Sequence, residues 1–560
     1  MNDTPLQRES VEESIGGGDD FGLPDRREVL AGIVAALGQG RVLAHAGAGL
    51  GKELAKIALG KSEVRPAKGD RRFGDPAWSS NPSYRRIMQF YLASTGVLDR
   101  IIDDWSRTAS DPSRAQAASF AATILASAVA PTNYLPTNPA ALKELFDTGG
   151  HSLVRGIGNY LSDLRTNGGM PSMVEPEAFE VGVDLAITPG AVVSRDDVAE
   201  VLQYSPAGSS VYERPVLVVP PPIGRFYFLD LRPGRSFVEH SVARGMQTFL
   251  MSWRNPQPEQ GDWTLDTYAA RVSSALDEVR DITGSADVNV IGFCAGGLIT
   301  TTLLNHMTAQ GDTRVHSMSY AVTMLDFEKH EKLAAFSSPR LLSFAGRRSR
   351  RKGIISGRDM ASAFTWMRPD DLVFNYVVNN YLMGRKPPAF DILAWNADST
   401  NLPGALHVQF LDIFANNLLV KRGAMEVLGT PVELDRIDVP TFVTAAISDH
   451  LTAWTNCYRT TQLISGDSTF VLSYSGHIAS LINPPGNPKA HYWVGDAPGP
   501  DPQDWLAGAE RTTGSWWEPW ADWVSQRAGG KVEAPPTLGS DQHKPLGPAP
   551  GMYVRDMIPE

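Results

Sequence analysis

Residues 287–307, DVNVIGFCAGGLITTTLLNHM, constrain this chain more than any other stretch. They read as an apolar strand, a tight turn with one cysteine at its apex, and a helix. Gly292 and Gly296 stand two residues either side of Cys294, and Gly297 follows. A strand that passes straight into a helix brings the two backbones almost into contact, so the residues flanking the apex have to be small. The apex side chain is thrust into the open at a helix N-terminus, where aligned peptide dipoles favour negative charge. A thiol suits that position, because the thiolate is its reactive form. Cys294 and Cys457 are the two cysteines of the chain, too few for a disulfide framework.

The flanking sequence places this turn in a sheet. RPVLVVPPPIG (214–224), MQTFLMSW (246–253), DVNVIGF (287–293) and SMSYAVTMLDF (317–327) are apolar strand patterns, and TLDTYAARVSSALDEVRDIT (264–283) has helical spacing. Alternation of continuously apolar strands with helices predicts a parallel sheet covered by helices. Strand signals stop over 330–435, which is aromatic and irregular, and resume at VPTFVTAAISDH (439–450) and STFVLSYSGHIAS (468–480). An insertion of that length between strands reads as a cap over a site. Upstream, residues 26–205 read as mainly helical, and 1–25 as disordered. The expected layout is an α/β-hydrolase fold: catalytic core over 206–329 and 436–527, cap or lid over 330–435, a mainly helical N-terminal domain, and a Gly/Pro-rich tail over 528–560.

In that fold, Gly-x-nucleophile-x-Gly is the nucleophile elbow, and acid and histidine follow in chain order. Asp449 closes TFVTAAISD and His477 follows FVLSYSG, each on a polar turn after an apolar strand. Cys294, Asp449 and His477 are therefore the candidate catalytic set, with His450 beside them. An oxyanion hole needs two backbone N–H groups. One is that of Ala295, and the other comes from the loop after an early strand. Pro220, Pro221 and Pro222 have no N–H, which leaves Ile223 or Gly224 as the first donor, with Ile223 preferred. GAGLGKE (47–53) mimics a phosphate loop, but Glu53 stands where a hydroxyl is needed and no clear strand precedes it.

Composition excludes several classes. A net charge of −11 argues against a nucleic-acid surface. AASFAATILASAVA (117–130) is too short to span a bilayer, and the acidic start has no leader pattern, so a cytoplasmic protein is expected. A cysteine nucleophile exchanges one thioester for another at little cost and keeps the acyl group activated, whereas serine traps it as an ester. The set therefore favours acyl transfer from a thiol carrier, most plausibly coenzyme A. A thioesterase or polyester depolymerase usually carries serine at the elbow. A non-catalytic coat protein has no need of all three residues.

DRRFGDPAWSSNPSYRRIMQFYLAS, APTNYLPTNPAAL, TFLMSWRNP, GFCAGG, WMRPDDLVFNYVVNNYLMG, FDILAWNADSTNLP, SDHLTAW and SGHIASLINPPGNPK resemble polyhydroxyalkanoate synthases, from about residue 70 to about 525. The likeness is to the single-subunit, medium-chain type. It implies an acyltransferase that polymerises (R)-3-hydroxyacyl-CoA and releases CoA, with the thioester as substrate and no separate cofactor. It places the family's Cys, Asp and His on Cys294, Asp449 and His477. It also implies a homodimer on the surface of cytoplasmic polyester granules, bound to its growing polyester chain. Arg368 in WMRP is a candidate for the CoA phosphates, with a cap salt bridge as the alternative. The family often has Pro-Pro-x-Ile-Asn-Lys-Tyr/Phe in the oxyanion loop. Here the run is Pro221-Pro222-Ile223-Gly224-Arg225-Phe226, with glycine in place of asparagine.

Overall fold

The computed structural model describes residues 40–108, 112–175, 177–328 and 339–557. The segment expected to be disordered, 1–25, lies outside them. The described residues fall into two compact units. One holds those up to Met173, the helix that begins at Pro339 as far as Ala345, and Arg358–Pro387. The other holds Val174–Glu328, Gly346–Gly357 and Pro388 onward.

The first unit is helical: α1 (Gly40–Ala58), α2 (Pro82–Thr108), α3 (Pro112–Ala128), α4 (Pro139–Asp147) and α5 (His151–Thr166). The phosphate-loop mimic lies inside α1, where Glu53 accepts hydrogen bonds from Lys56 and Ser62. Helix α4 starts on Pro139, whose missing N–H costs nothing there, and the Asn138 side chain accepts from the Ala141 N–H at 3.0 Å.

Part of the expected cap belongs to this helical unit. Residues 370–374 and 377–382 make π-helical turns, the first against α3 and the second against α5. Gly156 makes that approach possible, since a Cβ there would sit 1.8 Å from the Tyr381 carbonyl oxygen. Asn159 donates to the carbonyls of Asn380 and Arg385, and Tyr381 donates its hydroxyl to Asp163. The insertion is thus shared between the units rather than forming one cap. Its polar backbone over 380–385 is satisfied by side chains from the N-terminal helices.

The second unit is built on an eleven-stranded sheet: β1 (Gly190–Arg195), β2 (Ala199–Tyr204), β3 (Val216–Val219), β4 (Thr248–Trp253), β5 (Val288–Phe293), β6 (Val315–Ala321), β7 (Thr441–Ala446), β8 (Ser468–Ser473), β9 (His491–Val494), β10 (Glu510–Thr513) and β11 (Gly547–Pro548). The spatial order is β10-β9-β8-β7-β6-β5-β3-β4-β2-β1-β11. Strands β4, β3, β5, β6, β7 and β8 are parallel, and antiparallel strands extend both edges. The parallel strands are buried on both faces, as their unbroken apolar runs require. Helices α6 (Leu265–Thr283) and α7 (Ala295–Ala309) follow β4 and β5. Phe237, Phe293, Trp516, Trp517 and Trp520 pack together in the core of this unit.

Two expected boundaries move. The sheet begins at Gly190 rather than after 205, because β1 and β2 pair onto β4. The expected Gly/Pro-rich tail contributes strands: Lys531–Glu533 pairs with Ser210–Tyr212, and β11 pairs with β1. The cause is the buried Glu200 carboxylate, which accepts from Arg195 and from the N–H groups of Met552 and Tyr553.

Candidate active site

Cys294 joins β5 to α7 with φ 50° and ψ −121°. A non-glycine residue held there costs about 1–3 kcal/mol, so its surroundings have to impose it. They do: the Cys294 N–H donates to the Ala321 carbonyl at 2.9 Å, and the Thr323 hydroxyl donates to the Cys294 carbonyl at 3.1 Å. The glycines are sterically required. A Cβ on Gly292 would lie 2.4 Å from the Gly297 Cα, one on Gly296 2.3 Å from the Val219 carbonyl oxygen, and one on Gly297 2.2 Å from Thr323 Oγ1. The thiol is half-buried.

Asp449 follows β7 and His477 follows β8, so all three chain segments emerge at the carboxyl edge of the parallel strands, the edge at which such sheets bind ligands. The two loops are tied directly: the Ser448 N–H donates to the Ser475 carbonyl at 3.0 Å. His477 Nδ1 donates to Asp449 Oδ2 at 2.6 Å. That leaves Nε2 for a partner on the other side, and Cys294 is near enough to act on the imidazole's proton affinity. Burial acts to lower the His477 pKa, but the Asp449 carboxylate, with a smaller contribution from Cys294, outweighs it and holds it at about 10. Burial likewise pushes Asp449 up. The charge and hydrogen bond of His477, with the Thr452 N–H and hydroxyl, bring it net below the ordinary carboxylate value.

Thr452 is a residue the sequence reading missed. Its hydroxyl donates to Asp449 Oδ2 at 2.7 Å and lies 3.2 Å from His477 Nδ1, while its N–H and that of Leu451 donate to Asp449 Oδ1 at 3.0 and 2.8 Å. The sequence signal, a threonine three residues after an aspartate, is weak. Cys457 is wholly buried, its thiol 3.8 Å from the Thr452 carbonyl, and burial pushes its pKa far up.

The loop after β3 carries the second expected N–H. Gly224, at φ 86°, donates its N–H to Thr400 Oγ1 at 2.9 Å. Among the described residues neither the Ile223 N–H nor that of Ala295, first in α7, has an acceptor. Of the two donors considered, Ile223 is therefore the one left open. His450 is half-buried one residue beyond Asp449. Arg368 lies in the helical unit, at the surface, and forms an ion pair with Asp371 one turn away. A cavity of about 550 Å³, with Pro258, Asp262, Arg350 and Gln409 in its wall, contains none of these residues.

Two family models and several curated proteins match this chain. Residues 69–241 match the family described as "Poly-beta-hydroxybutyrate polymerase (PhaC) N-terminus", and residues 233–484 match "alpha/beta hydrolase fold". The chain is 43% identical over 560 residues to "Poly(3-hydroxyalkanoate) polymerase 1" of Ectopseudomonas oleovorans, covering 99% of each. It is 45% identical over 513 residues to "Poly(3-hydroxyalkanoate) polymerase 2" of the same organism, covering 91% of each. It is 40% identical to "Poly(3-hydroxyalkanoate) polymerase subunit PhaC" of Cupriavidus necator, covering 89% of this chain and 85% of that one.

Proposed function

The chain belongs to the poly(3-hydroxyalkanoate) polymerase family, and on that footing we propose that it builds polyester from (R)-3-hydroxyacyl-CoA through an acyl thioester on Cys294, releasing CoA. The observation that carries this reading is the His477 Nδ1–Asp449 Oδ2 hydrogen bond at the same carboxyl edge of the sheet as the strained Cys294 elbow.

His477 Nε2 takes the thiol proton, and Asp449 stabilises the imidazolium. The Cys294 sulfur attacks the thioester carbonyl. The carbonyl oxygen gathers negative charge against the N–H groups of Ala295 and Ile223, the largest kind of stabilisation open to such a site. The C–S bond to CoA breaks, and the leaving thiolate takes the proton back from His477. In the second half, the 3-hydroxyl of an incoming monomer gives its proton to His477 and its oxygen attacks the Cys294 thioester. An ester forms, the C–S bond to Cys294 breaks, and the sulfur recovers the proton. The first exchange is nearly balanced in free energy and the second runs downhill.

His477 is the base in both halves. A carboxylate has about four acceptor positions. On Asp449 two backbone N–H groups, the Thr452 hydroxyl and His477 Nδ1 occupy them, and its side chain is fully buried. An incoming hydroxyl finds no free lone pair there.

Assembly as a homodimer and location at cytoplasmic polyester granules belong to the same proposal and rest on family membership, whereas contact of His450 with substrate rests on its place beside Asp449, and that of Arg368 competes with its ion pair to Asp371. Among the described residues no helix is long and apolar enough to cross a membrane. The test is to incubate purified protein with (R)-3-hydroxyacyl-CoA and to titrate released CoA with a thiol reagent in quenched aliquots. Free CoA with insoluble polyester supports the proposal. CoA with free hydroxy acid makes the protein a hydrolase, and no CoA release makes it a non-catalytic coat protein.

A further inference from the structure

The oxyanion loop is held from two places remote in sequence. Thr400 spans Ile223: its oxygen accepts the Gly224 N–H at 2.9 Å and its hydroxyl donates to the Pro222 carbonyl at 3.4 Å. In a trans peptide C=O and N–H point in opposite directions. Holding the Pro222 carbonyl toward Thr400 therefore turns the Ile223 N–H the other way. The Trp395 indole N–H donates to the Arg225 carbonyl at 2.7 Å, and its ring lies 3.0 Å from where a Gly224 Cβ would be. This packing, with the positive φ, is met by glycine at position 224.

The Arg225 side chain, 5% exposed, is spent entirely on fixing this loop. Its Nε donates to Asp398 Oδ1 at 2.7 Å, Nη1 to the Tyr553 carbonyl at 3.2 Å, and Nη2 to Asp556. Tyr227 donates its hydroxyl to the other Asp398 oxygen at 3.0 Å. The loop is thus gripped between residues 395–400 of the insertion and residues 553–556 near the chain's end. A buried guanidinium with two carboxylates is stable only when the geometry is kept, which makes the grip stiff.

We propose that Thr400 and Asp398, assisted by Asp556, are positioning residues for acyl transfer: they aim the Ile223 N–H at the acyl oxygen without touching the substrate. The inference rests on the acyl-transfer reading above and adds to it residues that act through Gly224 and Arg225.

Two reactions of Cys294 separate this role from a general one. Acylation by a hydroxyacyl-CoA passes through an oxyanion, and alkylation by iodoacetamide does not. Thr400→Val is expected to slow single-turnover acylation about ten- to a hundredfold, with KM little changed and the alkylation rate unaltered. Thr400→Ser restores acylation. Asp398→Asn acts in the same sense, and Asp556→Asn, whose carboxylate is half exposed, less so. Undiminished acylation in Thr400→Val overturns the inference, as does alkylation falling in step with acylation. Wild-type protein that is never acylated on Cys294 overturns the acyl-transfer reading itself, an outcome distinct from normal wild-type acylation with an indifferent Thr400 variant.

Discussion

The elbow at Cys294 and the loop at Ile223 would serve the same reaction, yet they are held in opposite ways. The elbow is written in a few residues, since Gly292, Gly296 and Gly297 admit the turn between β5 and α7, and the ends of the neighbouring strands β3 and β6 close around it through Val219, Ala321 and Thr323. The loop after β3 has no such local logic beyond its prolines. Its conformation depends on Thr400, Trp395, Asp398 and Asp556, which the chain supplies from 170 or more residues away. The nucleophile's position thus follows from a short motif set between adjacent sheet strands, while the oxyanion donor's depends on side chains from distant parts of the chain. Local disruption should abolish the first outright, and remote substitution should detune the second by degrees.

The harshest way to test this contrast is Gly296→Ala. The added Cβ strikes two backbone carbonyls, those of Val219 and Pro220, at 2.3 and 2.6 Å. Neither can yield without shifting the end of β3. Turnover should fall by about a thousandfold or more, and denaturant unfolding should register a loss of about 1–3 kcal/mol. A second substitution elsewhere should not rescue it. An active Gly296→Ala protein would break the contrast at its stronger end.

Between the two stands the His477–Asp449 pair, built from adjacent loops. His477 is held at about 10 against an ordinary 6.5. A folded-state pKa above the unfolded one stabilises the fold fully below about 6.5 and loses that contribution as pH rises through about 10. The denaturant midpoint should therefore fall between pH 7 and pH 10, and the fall should shrink in Asp449→Asn, where the imidazolium has lost its counter-charge. A midpoint equally pH-dependent in both proteins would contradict the assignment.

The mildest test is Gly224→Ala, which meets a positive φ and the Trp395 ring rather than backbone. It should cost about 1 kcal/mol and a modest part of the acylation rate. Trp395→Phe should recover some of each, because a smaller ring makes room. Failure of any rescue would mean that the loop's backbone, and not the grip on it, sets the conformation.

The same division governs what could be read without coordinates. The parallel strands were legible because burial on both faces demands unbroken apolar runs such as VLVV and TFVTAA. Cys294, Asp449 and His477 were legible because each ends such a run in the expected order. Strands β1 and β2 were not, since Arg195 and Glu200 look like surface residues. Their meaning is a buried ion pair that also caps the backbone of Met552 and Tyr553. Strands β9 to β11 are partly exposed strands of two to four residues at or next to the sheet's edges, with no periodicity long enough to register. Thr400 and Asp398 carry no local signal at all, because what they hold lies in another part of the chain.

The central claim is that one sulfur carries the acyl chain, and intact-protein mass spectrometry after rapid mixing with one equivalent of (R)-3-hydroxyacyl-CoA tests it most directly. The account predicts a mass increase of one hydroxyacyl group, mapped by proteolysis to the peptide containing Cys294, released by hydroxylamine and absent from Cys294→Ala. An adduct on any other residue, or polyester formed at the full rate by Cys294→Ala, would contradict it.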